Sequence, residues 1–238
     1  MRVAMRTMAL FALAAALVSA PLLMGGAPAA PDRKAEAALR ELERRSGGSL
    51  EGRWHAGTNT PAELKGALTR PSAHTPEWIA YEFLESVKPL YGLSRPRAQL
   101  QVTDVIRSSG GAAEVRLRRM LYGLPVWGDG LTVRIDARGV VREVRGRMHP
   151  HLERETFRLR KHAKVTEREA LAAALDAAAK RGLVYDAVVV ESCYLPTEPG
   201  TPLVYAVRFR RESAGAEQAV VFVHALTGRM IENEGGRA

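Results

Sequence analysis

Two stretches of the chain repeat apolar residues at the spacing of an amphipathic helix. The first follows Thr75, whose hydroxyl can cap a helix, and Pro76, which suits the first helical position. Apolar side chains then recur every three or four residues until Pro89. The second opens with residues 166–169 (Thr-Glu-Arg-Glu), a capping-box pattern, and closes at Gly182. The pattern therefore predicts two amphipathic helices, far apart in the chain.

Alternation of apolar and polar positions predicts antiparallel strands after each helix. The predicted strands are residues 100–107, 115–121, 131–135, 140–148, 187–194, 203–211 and 218–224. In residues 115–121, Arg119 falls on the apolar face, whereas Arg116 and Arg118 fall on the other. Turns are expected at 122–125 and 136–139. Residues 54–68 suggest short edge strands or a loop.

A helix followed by antiparallel strands occurs twice, so the fold class predicted is α+β with two modules, each a helix packed on an antiparallel sheet. The charged segment 150–164 contains proline and histidine and is interpreted as a connector. The predicted organisation is an arm at 30–53, a first module at 54–149, the connector, a second module at 165–234 and a tail at 235–238. The arm holds a short charged helix with few large apolar residues, so it is expected to be loose.

Residues 1–29 read as a secretory signal peptide: a short basic start, an apolar run from Met8 to Met24, and small residues before a cleavage site after Ala29. This predicts a secreted or extracytoplasmic protein. The alternative is an uncleaved anchor, because the run approaches the length that crosses a bilayer. Membrane association is expected only in that case.

The composition favours a binding protein with a substantial core. The chain has 238 residues, 46% of them apolar, and a net charge of +9, which falls to +7 if Arg2 and Arg6 leave with the signal. Arginine outnumbers lysine, which suits pairing with carboxylates on an acidic partner, or reflects only a GC-rich genome. Basic residues are scattered, which argues against nucleic acid. Cys193, the one cysteine, is expected in the core of a strand.

The sequence contains none of the catalytic or phosphate-binding motifs for which we searched. There is no His-Glu-x-x-His, no Gly-x-Ser-x-Gly and no phosphate-binding glycine loop. His149 and His151 flank Pro150, but a catalytic zinc needs about three ligands and no third converges, so a solvated loop is the simpler interpretation. We therefore predict no enzyme activity, no cofactor and no metal.

The bend after Leu121 is the candidate partner-binding region. Tyr122, Leu124 and Trp127 follow one another there, and Arg116 and Arg119 precede them. Aromatic residues beside arginine are typical of binding hot spots. The alternative is that Tyr122 and Trp127 simply cover the end of the sheet.

The order of several motifs resembles a known family. The marks in the first half are Thr60-Pro61, Ile79-Ala80-Tyr81-Glu82-Phe83-Leu84, Tyr91-Gly92-Leu93, Gly123-Leu124-Pro125-Val126-Trp127-Gly128 and Leu131-Thr132-Val133. They resemble the fungalysin/thermolysin propeptide (FTP) domain. Residues 166–170, 203–207 and 223–228 resemble a PepSY domain. Three positions depart from the family pattern: Arg119 stands where Gln is common, Leu121 where Tyr is common, and His224 where an Asp commonly stabilises the turn.

The resemblance implies a cystatin-like architecture and a role as inhibitor and folding assistant of a secreted thermolysin-type zinc metallopeptidase. No catalytic domain is found up to Ala238, so the protein is expected to act in trans. The segment after the PepSY-like module leads to the cleft in the family, which adds Arg237 and Ala238 to the predicted contacts. The alternatives are an envelope-associated PepSY adaptor, tethered if the N-terminal segment is retained, and a degenerate remnant of a protease gene.

Overall fold

A computed structural model describes residues 33–153, 163–211 and 216–231. The chain divides into two units, Met1–Pro31 and Asp32–Ala238, and every described residue belongs to the second. The predicted signal peptide, the tail at 235–238, Arg237 and Ala238 lie outside the described residues. Within the described residues, no helix combines the length and apolar character that crossing a bilayer requires.

The first part of the structure carries three helices and six strands. In chain order these are α1 (Arg33–Arg45), β1 (Glu51–Trp54), β2 (Pro61–Lys65), α2 (Pro76–Val87), α3 (Pro96–Gln99), β3 (Leu100–Arg107), β4 (Ala113–Leu121), β5 (Leu124–Ile135) and β6 (Val141–Arg147). A short 3-10 turn, Lys88–Tyr91, follows α2. After the connector come α4 (Glu167–Lys180), β7 (Ala187–Tyr194), β8 (Leu203–Arg211), β9 (Ala216–His224) and β10 (Met230–Ile231).

The strands form two antiparallel groups that meet at β5. The first group has the order β1-β2-β6-β5-β4-β3, and the second has the order β7-β8-β9-β10. One parallel bridge, between Val126 of β5 and Tyr194 of β7, joins them. The protein is therefore α+β, as predicted, with a mixed sheet.

Helix α2 closes the first core, and its start is set by local chemistry. The Thr75 hydroxyl accepts a hydrogen bond from the Trp78 amide at 3.4 Å, and Pro76 begins the helix. Ile79, Phe83 and the other apolar positions of this face are buried against β4, β5 and β6. The predicted helix is confirmed. Helix α1, expected in a loose arm, instead buries Leu42 in the same core.

Helix α4 covers one face of the second group of strands. Its capping box is formed in both directions: Thr166 Oγ1 accepts from the Glu169 amide, and Glu169 Oε2 accepts from the Thr166 amide. Its buried face is built mainly of alanine, including Ala170 and Ala174, which allows the helix to approach the strands closely. The predicted start and inward face of this helix are confirmed.

The strand pattern is confirmed with three differences. The turn expected at 122–125 takes only Tyr122 and Gly123, because Leu124 and Pro125 already pair with Leu121 and Met120. Strand β5 is consequently longer than the predicted 131–135. The third difference is β10, which was not predicted because a strand of two residues shows no periodicity. Residues 54–68 contain β2 and the end of β1, so short strands form there.

The start of the predicted connector, residues 150–164, packs into the structure. Leu152 is 3% exposed and belongs to the second core, where Leu121 and Val126 also lie. Residues 154–162 lie outside the described part. Among the described connector residues, Leu152 is therefore part of the second core rather than of a solvated loop.

Candidate functional site

The hairpin between β4 and β5 is the centre of the predicted site, and its turn is tight. Tyr122 has φ +50 and Gly123 has φ +84, the pair of positive values that a two-residue hairpin turn requires. Gly123 adopts this conformation readily, whereas Tyr122 does so at some cost. The Tyr122 side chain is 42% exposed and its ring centroid lies 6.1 Å from that of Tyr194. Leu124 is half-buried against the second core.

Trp127 is half-buried between the two groups of strands. Its ring meets Phe222 of β9 edge to face, with centroids 4.9 Å apart. The Arg208 guanidinium lies over the indole, 5.1 Å from its centroid. Trp127 therefore packs, as one alternative proposed, and still lines an open surface beside Arg208.

Two arginines share one carboxylate next to Trp127. Arg118 of β4 and Arg208 of β8 each donate to a different oxygen of Glu191 on β7. The Glu191 side chain is 22% exposed, so this bridge is only partly in solvent. Two guanidinium groups around one carboxylate leave a local surplus of one positive charge.

Arg116 lies on the same outer face, further along β4, in a network of charges. It pairs with Asp104 at 3.8 Å and with Glu114 at 2.9 Å. Hydrogen bonds from Arg134, and then from Arg116, lower the pKa of the Glu114 carboxyl. The outer face of this sheet is therefore rich in ion pairs, and Arg116 is one of the paired arginines.

A groove runs across this outer face in two adjoining parts. The part beside Trp127, about 540 Å³, is lined by residues of β4, β5 and β6 and by Arg208. The part beside Trp54, about 760 Å³, is lined by residues of β1, β2, β5 and β6. Both parts share Gly146 and Arg147, so they adjoin at the end of β6. We call the whole the arginine groove, after the arginines that line it: Arg53, Arg118, Arg145, Arg147 and Arg208.

The floor of the arginine groove depends on a glycine. A side chain at Gly146 would place its Cβ 2.1 Å from the Gly130 carbonyl oxygen, and its φ of +147 also excludes other residues. The ring of His55 donates from Nε2 to the Gly146 carbonyl at 2.9 Å. The short distance between Gly146 and Gly130 leaves no space for a side chain at position 146, so backbone atoms form the floor between the two parts of the groove.

Arg147 stands at the junction with no ion pair among the described residues. It is exposed, lines both parts of the arginine groove and ends β6. The other four arginines are paired: Arg53 with Glu63 at 3.0 Å, Arg145 with Glu114 at 3.8 Å, and Arg118 and Arg208 with Glu191. Arg147 is therefore the cation with the most freedom to meet a partner.

Arg119 does not belong to this surface, which corrects the prediction that it contacts a partner. Its side chain is fully buried. It donates to both oxygens of Glu153, at 2.9 and 3.0 Å, and to the His149 carbonyl, and it lies 3.8 Å from Asp129. Alternation had placed Arg119 on the apolar face of β4, and that prediction is confirmed.

Asp129 and His149 complete this buried cluster. Asp129 accepts from the His149 amide at 2.9 Å, and its other oxygen lies 2.6 Å from Nδ1 of the same histidine. The His149 side chain is only 18% exposed, so the expected solvated loop at 149–151 is not what the structure has at this residue. We call Arg119, Asp129, His149 and Glu153 the buried cluster; Glu153 lies at its edge, with 30% of its side chain exposed.

The remaining candidates for chemistry are placed as follows. Among the described residues, no three His, Cys, Asp or Glu side chains gather as metal ligands. Cys193 is buried in β7, as predicted, and burial raises the pKa of its thiol to about 12. It therefore stays protonated and packs as a small apolar residue.

Sequence reasoning missed the residues that shape the arginine groove. Arg118 had been placed on the outer face of β4 beside Arg116, and that alternation was the available signal. Glu191 and Arg208 come from strands far along the chain, so no local pattern could bring them to Arg118. Arg147 is one of many arginines in the sequence, and only its position at the end of β6 sets it apart from the others.

A comparison with known families matches the segment beneath the arginine groove. Residues 98–148 match the family model described as Fungalysin/Thermolysin Propeptide Motif, and this range contains β3, β4, β5 and β6. The match agrees with the resemblance of the first half of the chain, and such motifs are typical of secreted peptidases. The segment that supplies most of the arginine groove is thus similar to a propeptide motif, which is not a catalytic domain.

Proposed function

We propose that this protein is a propeptide-like binding protein that acts in trans on a thermolysin-type zinc metallopeptidase, as an inhibitor, a folding chaperone or both. The observation that carries the proposal is the match of residues 98–148 to the fungalysin/thermolysin propeptide motif. The proposal includes export from the cytoplasm, supported by the basic and apolar pattern of residues 1–29.

The groups on the open face suit binding rather than catalysis. Guanidinium groups stay protonated at neutral pH and only donate hydrogen bonds, so they cannot serve as a general base. Indole and guanidinium together are typical of the residues that dominate protein interfaces. We therefore infer a non-enzymatic role.

The second half of the chain supports the same proposal. Helix α4 and strands β7, β8 and β9 lie where the PepSY-like pattern predicts a helix and three antiparallel strands. We infer that residues 165–234 are a PepSY-like module, the usual companion of this propeptide motif. The two-module, cystatin-like arrangement is part of the proposal.

Binding in trans can both inhibit and assist folding by simple thermodynamics. A partner that binds only the native peptidase stabilises it, by about 2.7 kcal/mol when present at a hundred times its dissociation constant. The same complex excludes substrate if it covers the cleft. Without a covalent link there is no gain in effective concentration, so the interface must supply the affinity.

The test is to add the purified protein to several thermolysin-like peptidases. We expect slower cleavage of a peptide substrate and a higher yield of active enzyme on refolding from urea. A trypsin-like serine peptidase serves as the control and should be unaffected. If no thermolysin-like peptidase shows either effect, the proposal is wrong.

A further inference from the structure

We propose that the arginine groove is the seat of an acidic, extended peptide segment of the partner protein. Carboxylates of that segment meet Arg147 and the pair formed by Arg118 and Arg208, and an apolar side chain packs beside Trp127. The inference rests on the proposed function only in taking the partner to be a protein.

The charge of the arginine groove is the first argument. Five arginines line it, and the one carboxylate in its lining, Asp129, is fully buried and bonded to His149. Among the described residues, Arg147 has no anionic partner at all, although it lies at the centre. A surface with surplus guanidinium groups is complementary to carboxylates, which they can bind with two parallel hydrogen bonds.

The arrangement around Glu191 is the second argument. Glu191 holds Arg118 and Arg208 in fixed positions, so little side-chain entropy is lost when an incoming carboxylate joins them. The buried Nε of Arg208 has no acceptor among the described residues. Glu191 thus behaves as an internal carboxylate that orients the two arginines and also competes for them.

The aromatic side chains favour a peptide over nucleic acid. Single-stranded nucleic acid binds by stacking bases on open aromatic faces. Arg208 covers one face of Trp127, and Phe222 meets the same ring edge to face. What remains of Trp127 is suited to a side chain packing at its rim, next to the guanidinium groups.

The experiment uses the whole protein and three labelled ligands, followed by fluorescence anisotropy. The first is a peptide that alternates Glu with Ser around a single Phe. The second has Lys in place of each Glu, and the third is a single-stranded oligonucleotide of the same net charge as the first. We expect the acidic peptide to bind best and to weaken as salt rises from about 50 to 200 mM. Equal binding of the lysine peptide, tighter binding of the oligonucleotide, or no binding of the acidic peptide overturns the inference.

Two variants with opposite expected signs test the named residues. Arg147→Gln should weaken binding of the acidic peptide about tenfold, because it removes a charge-assisted hydrogen bond. Glu191→Gln should strengthen it about threefold, because a competitor of the incoming carboxylate loses its charge. Weaker binding by Glu191→Gln would overturn the assignment of Glu191 as a competitor, because the loss of fixed arginine positions would then outweigh the loss of competition. The matched control is Arg138→Gln, an exposed arginine in the turn at the other end of β6, which should change nothing.

The outcomes separate this inference from the proposed function. If the Arg147→Gln variant and the unaltered protein inhibit the peptidase equally, the peptidase binds outside the arginine groove and only the inference is wrong. If the acidic peptide binds as expected but no peptidase is affected, the proposed function is wrong and the groove still selects acidic segments.

Discussion

Arg118 and Arg119 are neighbours on one strand, yet they belong to two regions that balance charge in opposite ways. In the buried cluster, one guanidinium faces two carboxylates, those of Asp129 and Glu153. At the arginine groove, two guanidinium groups face the one carboxylate of Glu191. The side chain of Arg119 is fully buried, whereas that of Arg118 is 36% exposed.

The difference follows from the cost of removing charge from water. A buried ion must be paired and hydrogen-bonded, or the fold loses several kcal/mol. A charge at the surface keeps much of its hydration, so a surplus is tolerated and remains available to a partner. The buried cluster is therefore expected to govern stability, and the arginine groove to govern binding.

The largest expected effect is on the buried cluster. Replacing Arg119 with Met keeps much of the volume but leaves Asp129 and Glu153 without their cation, so the free energy of unfolding should fall by about 3–5 kcal/mol. Urea unfolding followed by circular dichroism measures this. A loss below about 1 kcal/mol would show that the buried cluster does not govern stability.

The next effect depends on pH. Burial by itself raises the pKa of Glu153, but the charge and hydrogen bonds of Arg119 outweigh it and hold the pKa below the usual 4.5. A carboxyl with a lowered pKa in the folded state stabilises the fold fully above about pH 4.5, and this contribution is lost as the pH falls through the lowered value.

Glu153→Gln should therefore cost about 1–2 kcal/mol at neutral pH, because one hydrogen-bonded carboxylate is lost. The difference from the unaltered protein should shrink towards zero at an acidic pH below the lowered pKa of Glu153, where that carboxyl is protonated as well. Urea unfolding of both proteins at the two pH values gives this difference directly. If it is the same at both, the ion pair with Arg119 is not its source.

A smaller effect is expected at His224, which lies in neither region. Its Nδ1 accepts hydrogen bonds from the amides of Leu226 and Thr227, at 3.2 and 3.3 Å. The imidazole thus accepts the turn hydrogen bonds that an aspartate carboxylate often accepts in other turns. His224→Ala should cost about 1 kcal/mol, while His224→Asp should stay within about 0.5 kcal/mol in thermal unfolding. Equal losses in both variants would contradict this role.

The smallest expected effect on stability is at the arginine groove. Arg147→Gln removes an exposed charge that has no ion pair among the described residues, so the free energy of unfolding should change by less than about 0.5 kcal/mol. The same urea experiment as for Arg119→Met measures it and makes the two arginines directly comparable. A loss near that of Arg119→Met would remove the distinction between the two regions.

The features predictable from the sequence are those set within a few residues. Thr75 and Thr166 begin helices because a hydroxyl reaches amides three positions ahead. The turn at 136–139 forms because Asp136 accepts from the Arg138 and Val140 amides. Alternation placed Arg119 inside and Arg118 outside before any partner of either was known.

The sequence by itself determined the α+β class, the helix starts, the faces of the strands and the likeness to a propeptide motif, because periodicity and capping act over short distances. Only the tertiary structure decided which charges meet. Arg119 pairs with Glu153, which lies 34 residues further along the chain, and Arg118 pairs with Glu191, which lies 73 residues further along. No local pattern encodes such distances: the first pair depends on how the chain after β6 packs against β4, and the second on how β5 joins the two groups of strands at Val126 and Tyr194.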